Sequence, residues 1–147
     1  MPRVQRTADV VWQGDVARGG GTITGESGAL GELPVTLATR VGSPERHTSP
    51  EELIAAAHAA CYAMALSSEL SGAGSPPERL DVKAACTLEP VGDDHKITTM
   101  ELVVRGRVPG VDAAGFEAAA RRAEQGCPVS NVLRGGAEIR LDARLEA

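Results

Sequence analysis

Hydrophobic and polar residues alternate along several segments of the chain, which is the pattern of strands that bury one face. In the first forty residues, glycines separate short runs of valine, isoleucine, threonine and leucine, so this region is predicted to form strands joined by tight turns. The last of these strands is predicted to end at Arg40. The alternating segments are 33–40, 81–89, 98–108 and 137–145.

The longest apolar run, Leu53–Leu66, is predicted to lie in a helix that ends near Gly72. Ser49 is a helix-capping residue, Pro50 suits the first helical position, and Glu52 completes a capping box. The helix is apolar nearly all round, which is typical of a helix enclosed on several sides. A single sheet would cover one side only, so we expect a second helix or another subunit to cover the rest.

Two further helical segments are predicted in the second half of the chain. Asp112 can cap a helix that Gly126 closes, and Cys127 with Pro128 can open a short helix that ends near Leu133. The strands are grouped before and after the helices without a regular βαβ rhythm. This order predicts an α+β fold with an antiparallel sheet packed on the long apolar helix.

The size and composition of the chain indicate one domain, residues 1–147, that associates with a second copy. One tryptophan, one tyrosine and one phenylalanine are present, so the core depends on smaller aliphatic residues. Self-association would add buried surface. We therefore expect a homodimer.

The charge and the termini bear on where the protein works. A net charge of −5 without a basic cluster argues against a nucleic-acid partner. The N-terminus lacks the pattern of a secretion signal, and Leu53–Leu66 is shorter than the ~20 residues that span a bilayer. We expect a cytoplasmic protein with no membrane partner, in which any disulfide among the three cysteines is transient and catalytic.

The cysteines and one histidine are the candidates for chemistry. Taken by position, Cys61 in the middle of an apolar helix is typical of a core residue. Cys127 precedes a proline at a helix start, where backbone N–H groups favour a thiolate. Cys86 falls on the core face of a strand and is given no role. His58 lies three residues before Cys61, and a core histidine is favoured over a base or a metal ligand.

Three segments of the chain resemble one known family. They are WQGDVARGGGTITGESG near the start, TSPEELIAAAHAACYAMAL in the long helix and GCPVSNVL near the end. The last two resemble the two cysteine motifs of the family of osmotically inducible protein C and organic hydroperoxide resistance proteins, in its OsmC branch. The likeness runs over nearly the whole chain, and each motif is long and correctly ordered.

The resemblance implies an OsmC-like fold, an intertwined homodimer and a role for each of four residues. Cys61 matches the peroxidatic cysteine and Cys127 the resolving cysteine. Arg40 matches the arginine that faces the thiolate, and Glu51 matches the glutamate at the helix start. An arginine cation would stabilise the Cys61 thiolate, and a carboxylate can hold a guanidinium through two hydrogen bonds.

The implied activity is reduction of organic hydroperoxides, and less efficiently of hydrogen peroxide, to alcohols in oxidative or osmotic stress defence. Cys61 would pass through a sulfenic acid to a disulfide with Cys127. The family implies a lipoyl-type dithiol as reductant, with thioredoxin or a small thiol as alternatives. No metal or organic cofactor is needed.

Three other functions stay open at this point. A metal-binding module would use His58, Cys61 and Cys127, although the chain lacks a C-x-x-C pair. A non-catalytic member of the same fold would bind an apolar ligand and keep its thiols buried. A thiol redox sensor would oxidise fast and turn over slowly.

Overall fold

The computed structural model describes residues 1–147 and divides into two compact units, residues 1–53 and residues 54–147. Each unit has its own three-stranded sheet. The expectation of a single domain stays a prediction.

The first unit holds a three-stranded antiparallel sheet and a short helix. The strands are β1 (Ala8–Gln13), β2 (Gly20–Gly25) and β3 (Leu33–Val35), in the order β1-β2-β3, and the helix α1 spans Leu37–Val41. Only Gly21, Ile23 and Thr48 are buried in this unit, and every residue of β1 is exposed.

The prediction that a strand ends at Arg40 is wrong, because β3 stops at Val35 and Arg40 lies in α1. The side chain of Thr36 accepts a hydrogen bond from the backbone N–H of Thr39 at 3.1 Å. Threonine in this capping position starts a helical turn and so overrides the alternating pattern.

The long helix α2 spans Pro50–Gly72, with its start in the first unit and most of its length in the second. The predicted cap is confirmed, since Ser49 Oγ accepts a hydrogen bond from the backbone N–H of Glu52 at 3.1 Å. The carboxylate of Glu52 accepts a hydrogen bond from Thr48 Oγ1 at 2.8 Å. This hydrogen bond holds Thr48, the residue before the helix cap, against the first turn of α2.

The second unit combines a sheet with two helices that run in sequence. Its elements are β4 (Arg79–Val91), β5 (Asp94–Arg107), α3 (Ala113–Gly126), α4 (Pro128–Leu133) and β6 (Glu138–Leu145). Asp112 caps α3 by accepting from the backbone N–H of Gly115 at 2.7 Å, and Cys127 is the residue between α3 and α4, as predicted.

The sheet of the second unit has the order β4-β5-β6, and its two pairings differ in direction. β4 and β5 form an antiparallel hairpin whose turn contains Gly92, at a φ of +63° that glycine adopts readily. β5 and β6 are parallel, so the prediction of an antiparallel sheet is wrong for this pair. The chain passes through α3 and α4 before it returns, and such a crossover connection permits parallel pairing.

α2 packs into the second unit along one face. Its buried residues lie four positions apart and are His58, Tyr62, Leu66 and Leu70. Met64 on the same helix is 67% exposed. By length and composition α2 could cross a membrane, a test that the core helix of a soluble protein also passes. Its buried face joins the core of the second unit, which also includes Leu102, Val104 and Phe116.

Candidate active site

Cys61 and Cys127 lie together in the second unit as reduced thiols. Cys61 is in the middle of α2, and Cys127 is the N-cap residue of α4. Their thiols are neighbours, and each shifts the pKa of the other. Cys127 has no exposed surface, whereas Cys61 is partly buried.

Two buried hydrogen bonds attach α2 to the helices that follow it, and they lie on either side of Cys61 in the sequence. The hydroxyl of Tyr62 donates to the carbonyl oxygen of Ala120 in α3 at 3.1 Å. Nε2 of His58 lies 2.7 Å from Ser130 Oγ in α4. Because these bonds connect α2 to both α3 and α4, they hold Cys61 beside the residue that separates those two helices.

The surroundings of Cys127 favour its thiolate. Burial opposes ionisation, but nearby donors lower the pKa of Cys127 below its usual value, namely the backbone N–H and hydroxyl of Ser130, the Cys61 thiol and the N–H of Val129. The sulfur makes no side-chain capping hydrogen bond to α4. The prediction that α4 favours a thiolate at Cys127 therefore agrees with the direction of this shift.

The surroundings of Cys61 favour the protonated thiol. Burial raises the pKa of Cys61, the N–H of Val129 opposes that effect, and the neighbouring Cys127 raises the pKa further. These directions favour Cys127 over Cys61 as the thiol that ionises first in the reduced pair. A cation beside Cys61 is therefore needed if Cys61 is to ionise before Cys127.

Arg40 and Glu51 form a two-point ion pair within the first unit. Arg40 Nε lies 3.0 Å from Glu51 Oε2, and its Nη2 lies 2.5 Å from Glu51 Oε1. The hydrogen bond between them raises the pKa of Arg40 against the effect of burial, and it lowers the pKa of Glu51. The Glu51 side chain is 12% exposed and that of Arg40 is 34% exposed, so the guanidinium is held in place but still reachable.

An apolar hollow of about 370 Å³ opens in the first unit beside Arg40. Apolar side chains from the sheet and α1 line most of it, including Val10, Trp12, Ile23 and Leu37. Its lining is mostly hydrocarbon, with a guanidinium at one side. Such a hollow suits an alkyl group that carries a polar end.

Sequence reasoning missed two residues of the site, Ser130 and Tyr62. Ser130 lies at the third helical position after Cys127, where a hydroxyl is close to the residue that caps the helix. This spacing was visible in the CPVS segment. His58 was predicted to be a core histidine, and it is buried with a partner on Nε2 and none on Nδ1.

The structure also shows where Cys86 lies and whether any side chains are grouped as metal ligands. Cys86 is partly buried on β4, opposite Met100 of β5. No group of three or more histidine, cysteine, aspartate or glutamate side chains is arranged to hold a metal ion. The structure does not bring His58, Cys61 and Cys127 together as a set of ligands.

The fold places two free cysteines near each other, one in α2 and the other at the start of α4. The profile of the family described as OsmC-like protein matches residues 42–142. The chain is also 43% identical over 144 residues to Peroxiredoxin OsmC of Escherichia coli strain K12, covering 98% of this chain and 99% of that protein, and equally to Peroxiredoxin OsmC of Shigella flexneri. The chain belongs to the OsmC-like protein family.

Solved structures agree with this assignment. The organic hydroperoxide resistance protein OhrB of Bacillus subtilis matches with a TM-score of 0.75 and 26% identity, covering 94% of this chain and 98% of that one. An organic hydroperoxide resistance protein OsmC from Legionella pneumophila matches with a TM-score of 0.73 and 21% identity, covering 97% and 99%. At that identity the second match shows the fold alone. The expected OsmC-like α+β fold is confirmed.

The ion pair between Arg40 and Glu51 predicts a loss of stability in acid. Because the folded pKa of Glu51 is lowered, its contribution is fully present above the unfolded pKa of about 4.3 and is lost as the pH falls through the folded pKa. Glu51→Gln should reduce the free energy of unfolding at pH 7 by about 1 kcal/mol or less, since Arg40 is one-third exposed. Urea unfolding at several pH values measures it.

Arg40→Gln and the double variant complete a mutant cycle for this pair. The coupling free energy should be favourable at neutral pH and shrink toward zero in acid. A coupling that stays constant between pH 7 and pH 3 would contradict an ionic origin.

Proposed function

We propose that this protein is a thiol-dependent peroxidase that reduces organic hydroperoxides to alcohols, with Cys61 as the attacking thiol and Cys127 as the resolving thiol. The observation that carries the proposal is the pair of neighbouring thiols in which only Cys61 has exposed surface. The relatives named Peroxiredoxin OsmC, matched over nearly their full length, support the same activity.

Access decides which thiol attacks. Cys127 is fully buried, so a hydroperoxide cannot reach its sulfur without local opening. Cys61 is partly exposed and touches Cys127, so a sulfenic acid formed on Cys61 lies within reach of the second sulfur. Burial therefore supports this order of events, although the directions of the pKa shifts favour ionisation of Cys127 over Cys61.

Arg40 is the candidate for the cation that Cys61 lacks. Its guanidinium carries a permanent charge, keeps donors exposed and is held by Glu51. Lowering a thiol pKa from ~8.5 to ~6.5 raises the ionised fraction near pH 7.5 only about tenfold. The larger part of the role of Arg40 is to orient the peroxide and stabilise the departing alkoxide.

The cycle has three steps. The Cys61 thiolate attacks a peroxide oxygen, the O–O bond breaks, and the alkoxide takes a proton and leaves as an alcohol. Cys127 then displaces water from the Cys61 sulfenic acid and forms a disulfide. A dithiol, which we propose to be of lipoyl type, reduces the disulfide through thiol exchange. The cycle uses no metal and no organic cofactor.

The substrate class follows from the lining of the hollow beside Arg40. Hydrocarbon side chains around a single guanidinium favour an alkyl hydroperoxide over hydrogen peroxide, because burial of the alkyl group adds binding free energy. We place the protein in the cytoplasm, where thiol reductants are available, and in defence against oxidative or osmotic stress. Neither nucleic acid nor membrane is a partner in this proposal.

Mass spectrometry of the intact protein tests the cycle. After one equivalent of cumene hydroperoxide, the wild type should lose two hydrogens and the Cys127→Ser variant should gain one oxygen on Cys61. The wild type closes the disulfide, whereas the variant stops at the sulfenic acid.

Cys86→Ser is the matched control and should behave as the wild type, whereas Cys61→Ser should show neither change. If wild type and Cys127→Ser both keep their mass, the thiols are structural, and an apolar-ligand-binding protein becomes the better description. Oxidation at the expected rate without turnover by any dithiol would instead indicate a redox sensor.

Replacement of Arg40 separates ionisation from orientation. Arg40→Ala should slow the reaction of Cys61 with cumene hydroperoxide by clearly more than the roughly tenfold that loss of thiolate explains. The measurement compares the rate constants of both proteins over a pH range, so that each can be divided by its thiolate fraction. Arg40→Lys keeps the charge without the planar fork and should recover only the ionisation part. Equal rates per thiolate would exclude the orienting role.

We also propose that the protein is a homodimer. The single buried face of α2 leaves Met64 67% exposed, and the first unit leaves Val10, Val11 and Trp12 at 57%, 66% and 41% exposed. Large apolar groups exposed in this number usually mark an interface.

Light scattering at micromolar concentration should give twice the chain mass. Met64→Glu should shift the protein toward monomer, because a carboxylate would be buried at the interface without a partner. The matched variant Met64→Leu keeps the side chain apolar and should stay dimeric. A wild-type mass equal to a single chain would contradict the proposal.

A further inference from the structure

His58 is a fully buried histidine whose two ring nitrogens are treated differently by the fold. Nε2 lies 2.7 Å from Ser130 Oγ, whereas Nδ1 is buried and has no hydrogen-bond partner. A buried polar atom without a partner destabilises the folded protein. Its presence beside a reactive thiol needs an explanation from the chemistry of the site.

The unpaired nitrogen indicates which tautomer is present. A proton on Nδ1 would be a buried donor without an acceptor, and such orphaned N–H groups are rare in proteins. Burial also lowers the pKa of His58, and Glu124 of α3 opposes that effect only partly. The neutral ring with its proton on Nε2 therefore fits this environment best.

With that tautomer, the hydrogen bonds have one direction along a chain of three residues. Nε2–H of His58 donates to Ser130 Oγ, so the proton of the serine hydroxyl is available for another acceptor. The Cys127 sulfur is the nearest candidate for that acceptor, because Ser130 is the third residue of the helix that begins after Cys127, and its hydroxyl lowers the pKa of Cys127. These hydrogen bonds therefore link His58 in α2, through Ser130 in α4, to the resolving thiol.

The other ionisable groups near His58, Ser130 and Cys127 are Glu124, Tyr62 and Cys61, and each has a partner. Glu124 pairs with Arg134, so its charge is partly balanced. Burial raises the pKa of Tyr62, with Glu124 and Cys127 adding to the effect, and its hydroxyl donates to a backbone carbonyl. Cys61 contacts Cys127 as a donor in the reduced pair.

We propose that Ser130 and His58 are positioning residues for the resolving step, in which neutral His58 orients the Ser130 hydroxyl onto Cys127 and so maintains its thiolate. This inference rests on the proposed peroxidase cycle and concerns its second step alone. His58 is fully buried and its one hydrogen-bond partner is Ser130, so its proposed role is exerted through that residue.

The hydrogen bonds from His58 through Ser130 to Cys127 are needed most after the first step, when Cys127 attacks. Oxidation of Cys61 to a sulfenic acid removes the S–H that donates to Cys127 in the reduced pair. The Cys127 thiolate then attacks the Cys61 sulfur, an S–S bond forms and the S–O bond breaks. The departing hydroxide takes a proton from solvent and leaves as water. During this attack, Ser130 supplies the remaining side-chain donor to the thiolate.

Time-resolved intact mass after one equivalent of cumene hydroperoxide measures both steps in one experiment. Gain of oxygen reports the first step, and its conversion to the disulfide reports the second. In Ser130→Ala and His58→Leu, the second step should slow about tenfold, as expected for loss of one hydrogen bond to a charged group. Its pH profile should move about one unit toward higher pH.

His58→Gln is the rescue variant, because the amide N–H of glutamine can donate to Ser130. It should retain most of the wild-type rate and pH profile, whereas His58→Leu, of similar volume, should not. Ser71→Ala removes a hydroxyl from an exposed position of the same helix α2 and serves as the control for the serine change. It should leave the second step unchanged.

The outcomes separate this inference from the proposed function. If no variant gains oxygen and the wild type does not either, the peroxidase proposal fails. If Cys61 oxidises but Ser130→Ala closes the disulfide with the wild-type rate and pH profile, the positioning role is overturned. If His58→Gln and His58→Leu slow the second step equally, His58 contributes only packing, and its proposed role in positioning Ser130 is overturned.

A direct titration keeps the inference testable when the kinetic experiment fails. In a Cys61→Ser/Cys86→Ser background, Cys127 is the one remaining cysteine, and ultraviolet absorbance of its thiolate gives its pKa. Adding Ser130→Ala should raise that pKa by about one unit. An unchanged pKa in a folded variant would overturn the proposal without reference to any peroxide.

Discussion

The site depends on the attachment of α2 to α3 and α4 by two buried hydrogen bonds. His58 pairs with Ser130 and Tyr62 with the carbonyl of Ala120, and Cys61 lies between these two anchors in the sequence. Leu66 and Leu70 extend the same buried face. Apolar packing alone would let a helix this rich in alanine shift along its neighbours, because small side chains interdigitate weakly. The two polar contacts have fixed directions and therefore define the register in which the two sulfurs meet.

That geometry separates access from charge. The exposed sulfur, Cys61, has its pKa raised by burial and by its neighbour, and the inaccessible sulfur, Cys127, has its pKa lowered by donors around it. A thiolate that is sheltered from peroxide is protected from irreversible oxidation. Cys61 is accessible, and in the proposed cycle it ionises and reacts when the guanidinium of Arg40 is in position. The two properties together support the proposed order of the reaction, in which Cys61 attacks and Cys127 resolves.

Local signals in the sequence account for the parts of the fold that were predicted well. Ser49, Asp112 and the Cys127-Pro128 pair each act within one helical turn, and the structure has a helix start at each. The failures concern information that is not local. A period of two indicates which face of β6 is buried but not whether its neighbour runs in the same direction.

The contents of the site divide in the same way. Arg40 was placed on a strand, because the alternation of residues 33–40 concealed the cap at Thr36. The contact between Cys61 and Cys127 could be expected only from the family resemblance, since no spacing brings together two residues so far apart in the chain. Ser130 was within reach of local reasoning, as the third residue of a helix that Cys127 begins. Its bond to His58 was not, because that bond joins two helices.

The burial of the first unit supports the proposal that a second copy of the chain covers it. Its three short strands bury only Gly21 and Ile23, and β1 is exposed along its whole length. A small sheet needs a covered hydrophobic face to be stable, since only such burial offsets the loss of chain entropy. Trp12, one of three aromatic residues in the chain, lies on β1 and is 41% exposed. An exposed tryptophan contributes little to stability, so the proposed homodimer would couple the folding of this unit to the association of two chains.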